Sequence, residues 1–253
     1  MRSNQRHLLG RSLRFADMGL EQLHEDRWAK TYLIVDEEAG VASYVDPVWD
    51  TLEEDLALIA SRGLRLLHAI ATHTHADHIT GCFAMRERTG CDYVMWHSTA
   101  SLGVNRLVSE SDTLEVGAHT VRFHHAPGHT NDSMIVEVAG HIMTGDFLFT
   151  GDGGVGRDDL PSGRVSEHWD ALRVLERFSG EAVVCTGHDP PGTTMRSLAW
   201  NRGSNPVLNM SSLEEFQAWQ KETSARLGGV SKIKTALPAN IFAEIPEHVP
   251  WLN

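Results

Sequence analysis

An α+β architecture, with sheets layered together and helices on their outer faces, follows from three features of the sequence. Short apolar and β-branched runs alternate with segments of helical period through two similar halves. The 253 residues are 41% hydrophobic and 22% charged, the balance of a water-soluble chain long enough to bury roughly 70–75% of its unfolded surface. No linker is long enough to separate independent domains. Residues 1–253 therefore read as one domain, with residues 191–253 as a C-terminal helical extension packed on the core.

Thr31 to Val35 and Val41 to Val45 flank the acidic turn Asp36-Glu37-Glu38-Ala39-Gly40 and predict a hairpin that Asp46-Pro47 ends. Asp50 to Ser61 places Leu52, Leu56 and Ile59 at helical spacing, with Glu53, Glu54 and Asp55 near the positive end of the helix. Gly63 leads into a buried strand, Leu66 to Ala71. The second half predicts strands at Thr113 to Val116, Thr120 to His124, Met134 to Val138 and Ile142 to Thr144, most of them separated by glycine-containing turns. A helix over Ser166 to Phe178, a last strand at Val183-Val184-Cys185, and helices over Met195 to Arg202 and Ser211 to Arg226 complete the chain. Leu213, Phe216 and Trp219 share one face of the last helix, suited to packing on the core or, second, to a homodimer contact.

Charge and cysteine content exclude several roles. Lys and Arg total 22 against 34 Asp and Glu, a formal charge of -12 that repels phosphate backbones and anionic membranes. No basic patch argues for nucleic acid, and no apolar run approaches the ~18 residues of a membrane span. Cys82, Cys91 and Cys185 are odd in number and lack C-x-x-C spacing, which disfavours a disulfide framework and points to a reducing, cytoplasmic setting. Arg2, Arg6, Arg11 and Arg14, unaccompanied by an acid, give the N-terminus only a faint likeness to a transit peptide.

The chemistry concentrates in Thr72-His73-Thr74-His75-Ala76-Asp77-His78, directly after a buried strand. His73 and His75 alternate to one side there, and His73, His75, Asp77 and His78 are four ligand-type residues in six positions. A packed core would desolvate all four without giving them a bond, whereas a zinc, iron or manganese site uses all of them. His129 and His188 lie in the glycine-bounded turns Pro127-Gly128-His129-Thr130 and Thr186-Gly187-His188-Asp189, and Asp146 lies between them in Thr144-Gly145-Asp146. Each follows a predicted strand, as when a rigid sheet presents side chains to a shared cleft. His124 and His125 are adjacent, so only one could face that cleft, and Cys82 reads as a buried, inert thiol. Gly151-Asp152-Gly153-Gly154-Val155-Gly156 fits G-x-G-x-x-G, but Arg157-Asp158-Asp159-Leu160-Pro161 cannot readily begin a helix under a pyrophosphate. This loop instead lets backbone approach the metal site and carries Arg157 to its rim.

H-x-H-x-D-H followed by a histidine, an aspartate and a final histidine resembles the metallo-β-lactamase superfamily, with all seven positions filled between Thr31 and His188. That resemblance implies a four-layer αββα sandwich with the metal site along one edge of its sheets. Within the superfamily the chain is most similar to the persulfide (sulfur) dioxygenases at Ala69 to Gly81, Ala126 to Thr130, Thr144 to Phe149, Gly187 to Asp189, Asn205-Pro206-Val207-Leu208 with Glu214-Glu215-Phe216, and Pro238-Ala239-Asn240. The resemblance implies one Fe(II) per chain on His73, His129 and Asp146, with His75, Asp77, His78 and His188 around it or at a second metal. It further implies that O2 oxidises the outer sulfur of a low-molecular-weight thiol persulfide, glutathione persulfide or similar, giving sulfite and thiol. Gly154-Val155-Gly156-Arg157 stands where the family has G-C-G-R, so Arg157 is the implied substrate contact, with a structural ion pair as its other reading; Pro190 stands where the family commonly has a tyrosine.

A second function stays open. A glyoxalase II-like thioester hydrolase would use the same seven residues for two metals bridged by Asp146, and zinc would take the place of iron there or in mismetallated protein. A non-catalytic binding protein on this fold would show a degenerate ligand set, and no ligand is missing.

Overall fold

A computed structural model of the protein describes residues 13–15 and 19–252. Arg2, Arg6 and Arg11 lie outside the described residues, and Arg14 falls in a short strand of which only the backbone is described. One sheet has seven strands in sequence order: β1 (Leu13–Phe15), β2 (Leu20–Leu23), β3 (Thr31–Asp36), β4 (Val41–Val45), β5 (Arg65–Ile70), β6 (Asp92–Trp96) and β7 (Arg106–Val108). β1 to β4 are antiparallel neighbours, and β4 to β7 run parallel. The second sheet has six strands: β8 (Thr113–Val116), β9 (His119–His125), β10 (Met134–Val138), β11 (His141–Gly145), β12 (Val183–Thr186) and β13 (Arg196–Ser197). They lie in the order β13-β12-β11-β10-β9-β8, with β11 and β12 parallel.

Strand periodicity builds the layers. On β3, Tyr32 and Ile34 face the second sheet while Leu33 and Val35 face outward; on β10, Met134 and Val136 face the first sheet while Ile135 faces outward. The core between the sheets joins Ile34, Val45, Ile70 and Val94 to Val121, Phe123, Val136 and Met143. Helices α1 (Leu52–Ser61), α2 (Cys82–Thr89) and α6 (Ile233–Phe242) cover the first sheet through Leu52, Ile59, Phe83, Met85 and Ala236. Helices α3 (Val165–Ala171), α4 (Leu198–Ser204) and α5 (Leu213–Leu227) cover the second through Trp169, Leu198 and Phe216. Ser197 and Ser212 cap α4 and α5, accepting from the Trp200 and Glu215 N–H groups. The result is an αββα sandwich.

The hairpin, the helix into β5 and the four strands of the second half fall where the sequence predicts them, within a residue or two. The segment predicted as one helix over Ser166 to Phe178 is instead α3 followed by a tighter turn over Leu172–Arg177. The helix predicted from Met195 starts at Leu198, because Arg196 and Ser197 add an edge strand to β12. Among the described residues no helix is long and apolar enough to cross a membrane. The three cysteines are unpaired and buried, and burial raises the pKa of each thiol.

Candidate metal centre

All seven ligand-type residues meet at one edge of the sandwich, where both sheets end. His73, His75, Asp77 and His78 follow β5, His129 follows β9, Asp146 follows β11 and His188 follows β12. Two bonds across the sheets fix their approach: Met134 N donates to the Thr72 carbonyl at 2.9 Å, and Tyr32 Oη to the Thr186 carbonyl at 2.8 Å. The ligand atoms of His73, His129 and Asp146 lie within 4.8 Å of one another, as do those of His75, Asp77 and His78. Ring centroids of His73 are 4.1 Å from His75 and 4.9 Å from His129, and those of His75 and His78 are 4.2 Å apart.

The partners of each imidazole decide which nitrogen is free. Thr72 Oγ1 gives its proton to Asp46 Oδ2 at 2.7 Å, so it can only accept from His73 Nδ1 at 3.0 Å. His73 Nε2 is then a lone pair, and that buried atom has no hydrogen-bond partner. His129 Nδ1 donates to the Arg157 carbonyl at 2.6 Å, which leaves its Nε2 as a lone pair 3.7 Å from Asp146 Oδ2. His75 Nε2 points at Asp46 Oδ1 at 3.3 Å and His78 Nδ1 at Asp77 Oδ2 at 3.1 Å, leaving His75 Nδ1 and His78 Nε2 without partners. Buried lone pairs without donors, with a carboxylate among them, are the donor set of a divalent cation, and each is fixed by a bond on the far side of its ring. The residues therefore fit a metal.

Electrostatics agree. Burial holds the His73 pKa well below the ordinary value, assisted by His75, so the ring stays neutral. Burial also works against the Asp146 carboxylate, but His188, His73 and His129 outweigh it and keep its pKa below the usual range. His188 differs from the other rings. Its Nδ1 lies 2.7 Å from Asp146 Oδ1 and its Nε2 2.9 Å from Asp77 Oδ2. Burial lowers its pKa, but the two carboxylates more than offset that and raise it well above the ordinary value. His188 Nδ1 donates to Asp146 Oδ1, while its Nε2, close to Asp77 Oδ2 but without a hydrogen bond, joins His73, His75 and His78 among the buried unpartnered nitrogens.

Three supports escaped the sequence reading. Asp46, which the sequence offers only as the end of a hairpin, is buried at φ 51° and accepts from Thr72 N and Oγ1, both at 2.7 Å. Asn240 of α6 donates to the His75 and His78 carbonyls and accepts from Thr80 N, each at 2.9 Å, so one amide fixes the whole ligand loop. Asp132 accepts from Thr74 N at 3.2 Å and from Thr130 Oγ1 at 2.7 Å, tying that loop to the turn of His129. Asp46 and Asn240 stand far from their partners in the sequence, and Asp132, although close to His129, carries no local signal that it will reach Thr74.

The glycine loop does approach the centre. A Cβ on Gly156 would lie 2.3 Å from the Asp146 carbonyl and 2.8 Å from His129 Nδ1, so only glycine fits. Arg157 contributes its carbonyl to His129, while its guanidinium holds both Asp159 oxygens at 2.6 Å and donates to the Gly228 carbonyl at 2.6 Å. His124 bonds Glu137 at 2.8 Å and His125 stacks on Trp96 at 4.7 Å; neither belongs to a ligand group.

Comparison with known proteins gives the same placement. Residues 30–188 match the metallo-beta-lactamase superfamily. The chain is 31% identical to the mitochondrial persulfide dioxygenase ETHE1 of Homo sapiens, over 83% of this chain and 82% of that protein. It is also 31% identical to a hydroxyacylglutathione hydrolase of Cereibacter sphaeroides, over 70% of this chain and 69% of that one. The crystal structure of ETHE1 from Myxococcus xanthus superposes with a TM-score of 0.79 at 33% identity, covering 93% of this chain and 99% of that one. With the sandwich, the histidine-aspartate edge and these matches together, the chain belongs to the metallo-beta-lactamase superfamily, and it is similar to persulfide dioxygenases over most of its length.

Proposed function

We propose that this protein is a persulfide dioxygenase that oxidises a low-molecular-weight thiol persulfide with O2 to sulfite and thiol, using one Fe(II) on His73, His129 and Asp146. The observation that carries the reading is the pair of imidazole lone pairs with one carboxylate, held within 4.8 Å, in a chain that matches persulfide dioxygenases over most of its length. A ferrous ion held by His73, His129 and Asp146 would supply the redox chemistry between a persulfide and O2. Two neutral rings and one carboxylate would leave a divalent ion one net positive charge, a match for a single persulfide anion.

The chain's own residues bind and orient. Thr72 and the Arg157 carbonyl keep the protons of His73 and His129 on Nδ1, so both rings present Nε2. His188 donates to Asp146 Oδ1 and orients that carboxylate, whose Oδ2 lies towards His129 Nε2. Arg157 meets the anionic tail of the substrate at the rim, its guanidinium passing from Asp159 to the substrate carboxylate. Unpaired cysteines suit a reducing, cytoplasmic location.

A dinuclear thioester hydrolase is the second reading, favoured by the His75, Asp77 and His78 group beside the first. The test is oxygen consumption by anaerobically iron-loaded protein given glutathione persulfide, with lactoylglutathione hydrolysis as the control. Oxygen uptake with sulfite release supports the dioxygenase; thioester cleavage without oxygen uptake replaces it with the hydrolase.

A further inference from the structure

Outside the ligand set, one buried polar cluster bridges the segments that carry it. His168 of α3 is fully buried, yet both of its ring nitrogens face oxygen acceptors: Nδ1 is 2.8 Å from Asp158 Oδ1, and Nε2 is 2.9 Å from the Phe147 carbonyl. Gln220 of α5 closes the cluster, donating to Asp158 Oδ2 at 2.8 Å and to the Gly156 carbonyl at 2.9 Å. The ring also stacks on Phe147 at 4.8 Å and meets Phe216 edge-on at 5.5 Å.

The three segments that His168 touches all adjoin the metal centre. Phe147 is the next residue after Asp146. Asp158 follows Arg157, whose carbonyl takes the Nδ1 proton of His129. Gly128 precedes His129 and sits at φ 143° directly against His168: a Cβ there would lie 2.2 Å from His168 Cβ. The backbone repeats the link, with Arg164 N donating to the Gly128 carbonyl at 2.8 Å and Gly156 N to the Asp146 carbonyl at 2.8 Å. An apolar side chain would fill the same volume in this core, but it would leave Asp158 Oδ1 and the Phe147 carbonyl without their His168 partner in a buried setting. Through rigid bonds of this kind a packed neighbour sets the direction of a ligand it never touches.

We propose that His168, clamped by Asp158 and Gln220, is a positioning residue for the metal centre, fixing the Nε2 direction of His129 and the carboxylate of Asp146 relative to each other. It rests on the metal-centre part of the reading above and is independent of the substrate. Each ring nitrogen serves one ligand, since the Asp158 arm reaches His129 through the Arg157 carbonyl and the Phe147 arm reaches Asp146.

The test compares His168→Leu, His168→Gln, His168→Asn and Asp158→Asn with wild type in full-length protein. For each, chelator competition gives the metal dissociation constant, the visible spectrum of the cobalt(II)-loaded protein reports ligand geometry, and the metal-free melting temperature reports the fold. The expected result is a tenfold or greater rise in dissociation constant for His168→Leu with an altered cobalt spectrum. His168→Gln and His168→Asn, which each restore one arm, recover part of the loss. Should His168→Leu fail to fold, Asp158→Asn, which keeps every heavy atom in place, decides by the same two metal readouts. Variants that melt earlier while keeping the wild-type dissociation constant and spectrum reduce His168 to a packing residue and overturn the proposal. Wild type that binds metal but consumes no oxygen with a persulfide removes the substrate reading alone, because these readouts require no turnover.

Discussion

Asp146 carries the only formal charge among the three residues proposed to hold iron, so Asp146→Ala should cost more than the ~10–100-fold loss in affinity typical of an outer partner. Metal analysis after dialysis checks this, and stoichiometric iron in the variant would refute the assignment. His188→Ala separates the two functions: one iron per chain should remain if His188 only lies between Asp146 and Asp77, whereas a fall from two metals to one with loss of thioesterase activity favours the hydrolase. The metal-free protein also has a pH signature. The raised pKa of His188 adds stability that is complete below the unfolded value of ~6.5 and is lost as pH rises through the folded one. Burial lowers the pKa of His73 and His78, so protonation of the unfolded chain erodes stability as pH falls below ~6.5. The melting temperature of apo protein should therefore peak near pH ~6.5, and His188→Gln should flatten its alkaline side. An apo profile that climbs steadily to pH ~9 would contradict these directions.

Helix α6 acts on the centre through one amide. Asn240→Ala removes three buried hydrogen bonds to the ligand loop, a loss of about 2–4 kcal/mol, and calorimetry should show a fall of about 5–15 °C in melting temperature together with weaker metal binding. An unchanged melting temperature would remove Asn240 from that role. Gly156→Ala should empty the centre more selectively, because its Cβ meets the Asp146 carbonyl and His129 before it meets core. The sequence reveals Asn240 only within a resembling Pro-Ala-Asn segment. Pro238 lies inside α6, past its first turn, so a helix there escapes a reading that treats proline as punctuation; the helix continues without the N–H that would have met the Lys234 carbonyl. Helix α2 is hidden because Arg86, Glu87, Arg88 and Thr89 interrupt its apolar face, and β6 and β7 escaped the reading as runs of only five and three residues. Strands β3, β4, β5 and β8 to β12 were legible because their apolar and β-branched runs and the turns that bound them are local properties. The clustering of the proposed ligands was legible for the same reason, as each of these residues stands after a strand. The supports Asp46, Asp132 and Asp158 were not, because only tertiary packing brings them there.

At the scale of the whole molecule, one metal would join the two sheets, since His73 follows a strand of the first and His129 and Asp146 follow strands of the second. Iron at ~100 times its dissociation constant should therefore stabilise the entire sandwich by ~2.7 kcal/mol, seen as a rise of about 5–10 °C in a single transition. Stripping iron with a chelator should reverse that shift; a shift confined to one partial transition would mean that the sheets unfold separately. The placement of Cys82, Cys91 and Cys185 has a different consequence. Sulfane sulfur passes readily to thiolates, yet all three thiols are shut in the cores with their ionisation suppressed. A persulfide handled at the edge of this sandwich meets no protein thiol to which it could lose its outer sulfur, so the polypeptide stays chemically silent towards its own cargo.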